Sequence, residues 1–288
     1  VIKVAGHFTM TDCTADNAQG TITHAVNTTS NEKYKGKGVK VLGGTFDMYG
    51  GTITGNTSNY DIGGSGVSVE GVSDTSKASV FNLYGGTITG NTATSGGGVH
   101  VRRIVWYGPS AFYMYGGSIT NNTVDSNNAS YGTGGGVYVS WTSKFVMSGG
   151  EISGNTANKF GGGVYASALA RDNAYDASDR TAEIVVSGTA KIENNTVNSS
   201  ANNVYLDSST TAFETVSAAL TIQGSLEGQI GVTAEAAAPV IVATGADPNT
   251  ADYSNIITSD DSRYEIVRPT NDDTVLMLNG KGASQPSL

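Results

Sequence analysis

The phrase Tyr49-Gly-Gly-Thr-Ile-Thr-Gly-Asn-Thr57 returns letter for letter at Tyr84–Thr92, and then as Tyr115-Gly-Gly-Ser-Ile-Thr-Asn-Asn-Thr123 and Ser148-Gly-Gly-Glu-Ile-Ser-Gly-Asn-Thr156. A worn copy reads Ser187-Gly-Thr-Ala-Lys-Ile-Glu-Asn-Asn-Thr196. Self-similarity at intervals of a few tens of residues is the mark of a solenoid. One unit cannot bury its apolar face alone, so neighbours must stack to build a continuous core.

Two further phrases recur between these copies. One is glycine followed by alternating residues: Gly38-Val-Lys-Val41, Gly66-Val-Ser-Val69, Gly98-Val-His-Val101, Gly136-Val-Tyr-Val139, Gly163-Val-Tyr-Ala166 and Asn203-Val-Tyr-Leu206. The other precedes each double glycine: Phe46-Asp-Met48, Phe81-Asn-Leu83, Phe112-Tyr-Met114, Phe145-Val-Met147 and Ile184-Val-Val186. All alternate with period two, the strand signature. Three short strands per repeat with glycine corners predict an all-β, single-stranded parallel β-helix of about seven coils. Val67, Val69, Phe81, Leu83 and Ile88 are expected inside. Asn56, Asn91, Asn122, Asn155 and Asn195 fall at one corner, where amide side chains can run as a ladder along the axis.

The rhythm extends upstream through His7–Cys13 and Gly20–His24. Downstream, Leu220–Gly224, Ser225–Gln229 and Ile230–Thr233 read as three more strands, with Gln229 at the asparagine position. These readings place the β-helix at residues 1–233 and a β-rich C-terminal cap at 234–288, since a solenoid must block its open edge.

Composition narrows the function classes. Glycine is abundant at 39 residues and charged residues make up only 14%, which disfavours helices, whereas 38% hydrophobic content argues against disorder. A net charge of −9 is unsuited to a phosphate backbone, so no nucleic acid is expected as partner. The lone Cys13 excludes internal disulfides and reads as a small buried hydrophobe. No apolar run has membrane-spanning length, so no membrane insertion is expected, and no signal peptide opens the chain. Val1-Ile-Lys-Val-Ala5 begins in mid-strand, and the expectation is a segment of a larger protein.

Gly-Gly-Thr-Ile-Thr-Gly-Asn-Thr alternating with Gly-Gly-Gly-Val-Tyr-Val resembles the right-handed parallel β-helix repeats of bacterial adhesin-like surface proteins, frequent in large cell-wall-anchored proteins of gut Firmicutes. The Thr11-Asp-Cys13 opening and the Asn203-Val-Tyr-Leu206 exit share in the resemblance, which covers roughly residues 1–233. It implies a right-handed coil, a place on the extracellular bacterial cell surface, and host or dietary glycans or cell-surface glycoproteins as partners. A more distant likeness is to polymorphic outer-membrane proteins with a Gly-Gly-Ala-Ile motif, whose companion Phe-x-x-Asn motif is not regular here.

In a solenoid, function resides in outward positions and loops. One outward row is Lys40, Ser68, His100, Tyr138, Tyr165 and Tyr205; another is Tyr49, Tyr84 and Tyr115. Exposed aromatic rows can stack on sugar rings, and the alternative is self-stacking along the sheet. Four insertions leave one corner: Glu70–Ser79, Arg102–Ser110, Ser140–Lys144 and Ala168–Arg180. They bring together Arg102, Arg103, Trp106, Tyr107 and Trp141, a composition suited to a sugar or an acidic glycan, with aromatic lids on each coil as the alternative. With Tyr138 and Tyr165 these form the candidate binding set.

The resulting expectation is a non-catalytic adhesin or glycan-binding module without cofactor or metal. The alternative is a polysaccharide lyase or hydrolase, but the outward rows show no stacked carboxylates, His100 is an isolated candidate base, and the acidic loop Arg171–Arg180 matches no calcium motif. A lesser alternative is ice binding or a pure structural stalk. The rows Thr21/Thr23, Thr52/Thr54, Thr87/Thr89 and Ser118/Thr120 form a Thr-x-Thr face, which Glu151, Lys191 and Glu193 break. Asn56-Thr-Ser58 is a formal glycosylation sequon that reads as turn chemistry.

Overall fold

The computed structural model describes residues 1–12, 20–23, 37–58, 64–103, 106–126, 132–140, 142–169, 181–211, 214–250 and 252–288. Cys13, His24, Trp141 and the Arg171–Arg180 loop lie outside this set. Every regular element among the described residues is a strand, and no helix is long and apolar enough to cross a membrane.

The three sequence phrases form three stacks of parallel strands, giving a solenoid-like β-helix. The Val-x-Val stack runs from Ile2–Val4 through Val39–Leu42, Val67–Glu70, Val99–Arg102, Val137–Val139, Val164–Ala166 and Val204–Leu206 to Ile230–Ala234. Like residues face like: Val39 pairs with Val67, Val67 with Val99, and Val99 with Val137. The Phe-x-Met stack carries His7–Met10, Thr45–Met48, Ser79–Leu83, Ser110–Met114, Lys144–Met147, Glu183–Gly188 and Leu220–Leu226. The Thr-Ile-Thr stack joins Thr21–Ile22, Thr52–Thr54, Thr87–Thr89, Ser118–Thr120, Glu151–Ser153 and Lys191–Glu193. A fourth, two-residue strand follows the asparagine in several coils, as at Thr92–Ala93, Thr123–Val124 and Thr156–Ala157. The sequence pattern, read as three strands per coil, did not contain it.

Period-two alternation is the cause of the core. Val67, Val69, Phe81, Leu83 and Ile88 are all fully buried. Phe46, Phe81, Phe112 and Phe145 form a column with ring centroids 4.9 Å apart. That spacing is the strand repeat itself, so each ring stacks on the next without distorting the ladder.

The corner asparagines are joined as the spacing predicts. Asn91 Nδ2 donates to Asn122 Oδ1 at 2.9 Å, Asn122 to Asn155 at 2.9 Å, and Asn155 to Asn195 at 2.9 Å. Each amide also satisfies a carbonyl of the preceding coil, as Asn122 Nδ2 does for Ile88 at 3.0 Å. The residue before each ladder asparagine is left-handed: φ is 63° at Gly90, 54° at Asn121, 64° at Gly154 and 58° at Asn194. Asparagine is the side chain that best tolerates this region after glycine, so Gly-Asn and Asn-Asn alternate in the repeat.

The last rung departs from the expected pattern. Gln229 is exposed and takes no place in the ladder. Asn195 instead donates to Asn203 Oδ1 at 3.1 Å, and Asn203 Nδ2 donates to Asp260 Oδ1 at 2.6 Å. Asn203 occupies the position of Gly163 in the coil before, where an added Cβ would meet Asn195 Nδ2 at 2.7 Å. Two places in the coil thus aim at the ladder, and the asparagine enters from the second. Residues 225–229 likewise form no Thr-Ile-Thr strand. Leu220–Leu226 is one strand with a bulge, and Ile230–Ala234 pairs with both Lys191–Glu193 and Val204–Leu206. Beyond it, Val240–Thr244 and Ile257–Ser259 still add in parallel. Val275–Gly280 and Tyr264–Val267 then pair antiparallel, leaving Tyr264–Val267 at the sheet edge.

Candidate functional site

The outward row of the Val-x-Val stack is in register as expected: Lys40, Ser68, His100, Tyr138, Tyr165 and Tyr205 follow one another. It is not an exposed row. Lys40, Ser68, His100 and Tyr205 are buried, and Tyr138 and Tyr165 are half-buried. The glycine runs that enter these strands fold back over the row. Gly134, at φ 70°, lies so close that a Cβ there would meet Tyr138 Cβ at 2.9 Å. Tyr138 stacks on Tyr165 at 5.4 Å and Tyr165 on Tyr205 at 5.8 Å, so their ring faces are occupied. The second row is exposed, at 52% for Tyr49, 40% for Tyr84 and 47% for Tyr115. Its rings also stack on each other, at 4.5 and 4.8 Å, and present mainly edges to solvent.

The insertion corner gives a different arrangement. The loops after Glu70 and after Arg102 lie side by side: Gly71 N donates to Arg102 O at 2.9 Å and Gly108 N to Val72 O at 2.7 Å. The next loop joins them through Arg103 N to Ser140 Oγ at 3.2 Å, with Ser140 and Ser143 hydroxyls 3.1 Å apart. Arg103 Nε donates to Tyr107 O at 3.1 Å. On this fixed base Trp106 is 81% exposed, whereas Tyr107 is half-buried. Of the predicted corner set, the structure therefore brings together Arg102, Arg103, Trp106 and Tyr107. Trp141 lies outside the described residues.

Behind the corner is a buried ionic cluster. Glu70 accepts from Lys37 at 3.0 Å and Ser68 at 2.7 Å on Oε1, and from Lys40 at 2.9 Å on Oε2. Burial opposes the charge on Glu70, but Lys37 and Lys40 overcome it and hold the carboxyl down at about 2. The same burial lowers Lys37. His100 is pushed down to about 3 by burial, with the Lys37 charge adding to the effect, so its imidazole is neutral at ordinary pH. Its Nδ1 has no hydrogen-bond partner and its ring meets Tyr138 edge-on at 4.7 Å. Enclosed in this way, His100 cannot serve as a base toward an outside substrate.

A second site was missed in the sequence. Asp207 and Glu235 follow equivalent strands of neighbouring coils, and both accept the Ser208 amide, Asp207 Oδ1 at 3.0 Å and Glu235 Oε2 at 3.0 Å. Asp207 Oδ2 accepts Ala168 N at 2.9 Å, and Tyr165 also bonds this carboxyl. Burial, followed by the hydrogen bond to Glu235, raises the Asp207 carboxyl to about 6. Burial and Asp207 likewise raise the Tyr165 phenol. Glu235 opens onto a groove of about 320 Å³ with Tyr205, Asp261, Arg263 and Tyr264. There Arg263 grips Asp261 through Nε at 3.0 Å and Nη2 at 2.6 Å. The expectation of no stacked carboxylates fails at this one place. The signal was the shared position after Val204–Leu206 and Ile230–Ala234, hidden because the repeat is most degraded there. Among the described residues no cluster of His, Cys, Asp and Glu could hold a metal ion.

The Thr-x-Thr face is flat for a short distance, with Ser118 bonded to Thr87 at 3.1 Å and Thr120 to Thr89 at 3.3 Å. The Lys191–Glu193 ion pair at 2.8 Å then interrupts it. No family model, curated protein or solved structure matches this chain.

Proposed function

We propose that this protein is a non-catalytic glycan-binding module, an adhesin-type right-handed β-helix of about seven coils, carried by a larger bacterial protein at the cell surface. Residues 1–233 would form the coil and 234–288 its cap. The observation behind the reading is Trp106, an indole 81% exposed on a loop pinned by backbone bonds to its neighbour. A large apolar ring held out on a base of backbone bonds offers a free face, and a sugar's apolar face is a matching surface. The tyrosine rows are weaker candidates because their faces are taken by each other.

A carboxyl pair gives a specific reason to weigh hydrolysis. Glycoside cleavage by two carboxyls needs them about 5–5.5 Å apart, or about 6.5–9.5 Å apart with a water between. Asp207 and Glu235 instead share one amide donor and hydrogen-bond to each other, so the pair is already engaged with itself. Binding without turnover is therefore the preferred reading. A glycan array of wild type against Trp106→Ala and Trp106→Ala/Trp141→Ala tests it. Retention of a glycan set by wild type and its loss in the variants is expected. Equal retention by all three, or none by wild type, refutes it, and release of unsaturated ends from uronic-acid polysaccharides would promote a lyase.

A further inference from the structure

We propose that the corner carrying Arg102, Arg103 and Trp106 takes an anionic glycan, one bearing carboxylate or sulfate groups beside the ring that stacks on the indole. This rests on the glycan-binding reading above and names its ligand class. The pairing of charges carries the inference. Arg102 lies opposite Glu70 in the parallel register. Glu70 is the natural counter-ion, yet its Oε1 is held by Lys37 and its Oε2 by Lys40. With Ser68 also on Oε1, this carboxylate is engaged by the two lysines and not by the Arg102 guanidinium. Asp74, in the loop alongside, is paired with Lys77 at 3.4 Å. Among the described residues neither Arg102 nor Arg103 forms an ion pair, although both side chains are half-buried. Toward the described residues Arg103 uses Nε, on the Tyr107 carbonyl, and this bond fixes the plane of its guanidinium.

An unpaired, partly desolvated guanidinium is costly, and a planar anion relieves that cost with two parallel charged hydrogen bonds. Lysine would suit a point charge, whereas two adjacent arginines suit the planar oxygen pairs of carboxylate or the oxygen face of sulfate. The net charge of −9 makes this local excess of cation the more selective, because the surrounding field repels anions that cannot make the specific contacts. A phosphate backbone would need a long basic stripe, and two arginines beside one indole are not one.

Purified protein is titrated with uronic-acid oligosaccharides, with sulfated oligosaccharides, and with the carboxyl-reduced and desulfated forms of the same backbones. Tenfold or weaker binding after removal of the acid groups is expected, since each lost charged hydrogen bond amounts to about tenfold or more. Arg102→Gln/Arg103→Gln should lose the same factor toward acidic ligands and nothing toward neutral ones. Arg102→Lys/Arg103→Lys, which keeps charge and fold, should fall between, and binding should weaken with added salt. Equal affinity for acidic and neutral forms, abolished by Trp106→Ala, overturns the anionic assignment and leaves the glycan reading intact. Absence of binding to every form overturns both.

Discussion

The Asp207–Glu235 pair contributes stability that falls as the solution becomes less acidic, opposite to the usual behaviour of surface carboxylates. Two carboxyl groups accepting one amide proton cannot both be ionised cheaply, so the folded state retains a proton that the unfolded chain releases. Asp207 is raised from 3.8 to about 6, first by burial and then by its bond to Glu235. Because the folded state binds the proton more tightly, the contribution is fully present below about pH 4 and is lost as pH rises through about 6. The unscreened shift corresponds to about 3 kcal/mol, and screening at this partly exposed position brings it to about 1–2 kcal/mol. Glu70 acts in a separate window. Its lowered carboxyl, at about 2, gives stability that is complete above about pH 4.5 and is lost in stronger acid. Asp260, raised by burial at the end of the asparagine ladder, works in the same direction as Asp207. His100 works the other way: its imidazole is held down to about 3 in the folded state, so its contribution is fully present above about pH 6.5 and is lost as pH falls. The Asp207 contribution is therefore read as the difference between wild type and Asp207→Asn across pH. Asp207→Asn removes the titrating group and supplies an amide donor to Glu235, so it should gain on wild type as pH rises above about 5 and overtake it at about pH 7. Thermal unfolding followed by circular dichroism across pH gives both curves. Parallel curves for the two proteins, or an Asp207→Asn variant destabilised equally at both ends, would refute shared protonation.

The ladder and its left-handed corner give two stability predictions. Asn122→Ala leaves the Asn91 backbone N–H without its Oδ1 acceptor and removes the Asn122 donor to the Ile88 carbonyl, while the Asn91 amide keeps its bonds to Ile53 and Thr89, and should cost about 2–4 kcal/mol. Asn56→Ala should cost less, because among the described residues nothing donates to the Asn56 Oδ1; equal costs in denaturant titrations would show that the ladder is not the unit of stability. At Asn121, with φ 54°, replacement by glycine should be within about 0.5 kcal/mol of wild type and replacement by valine worse by about 1–3 kcal/mol. Similar melting temperatures for the two variants would remove the conformational explanation of the Gly-Asn and Asn-Asn alternation.

What could be read in the letters followed from local rules that repeat. Alternation fixed which side of each strand carries Val67, Phe81 and Ile88, and equal spacing put Asn91, Asn122 and Asn155 on one line. Corner loops of neighbouring coils had to be neighbours, and the Gly71 and Gly108 amide bonds bear this out. Alternation gives a face, however, and not what lies over it. The row from Lys40 to Tyr205 points away from the core as predicted and is nonetheless covered, because the glycine turns that feed each strand lean across it. Ladder membership at the last rung was hidden for a related reason. Asn203 stands where the phrase has glycine and Gln229 where it has asparagine, and only the three-dimensional convergence of the two positions shows which side chain reaches Asn195.

The same distinction explains where function can reside in such a molecule. A residue that recurs in every coil is accounted for by the packing problem that every coil shares: isoleucine and phenylalanine fill the core, asparagine pairs along the axis, and glycine or asparagine turns the corner. Arg102, Arg103 and Trp106 solve no such problem. Their counterparts in the coil before are Glu70 and the Gly71–Lys77 turn, which are held by ion pairs to Lys37 and Lys40, the Asp74–Lys77 pair and the Ser76 and Ser79 hydroxyls. Among the described residues that corner carries neither an exposed indole nor a guanidinium group without an ion pair. Their presence adds desolvation cost and apolar exposure to a coil that its neighbour shows can be closed without them, and a ligand with an apolar ring face and an acid group offsets both at once.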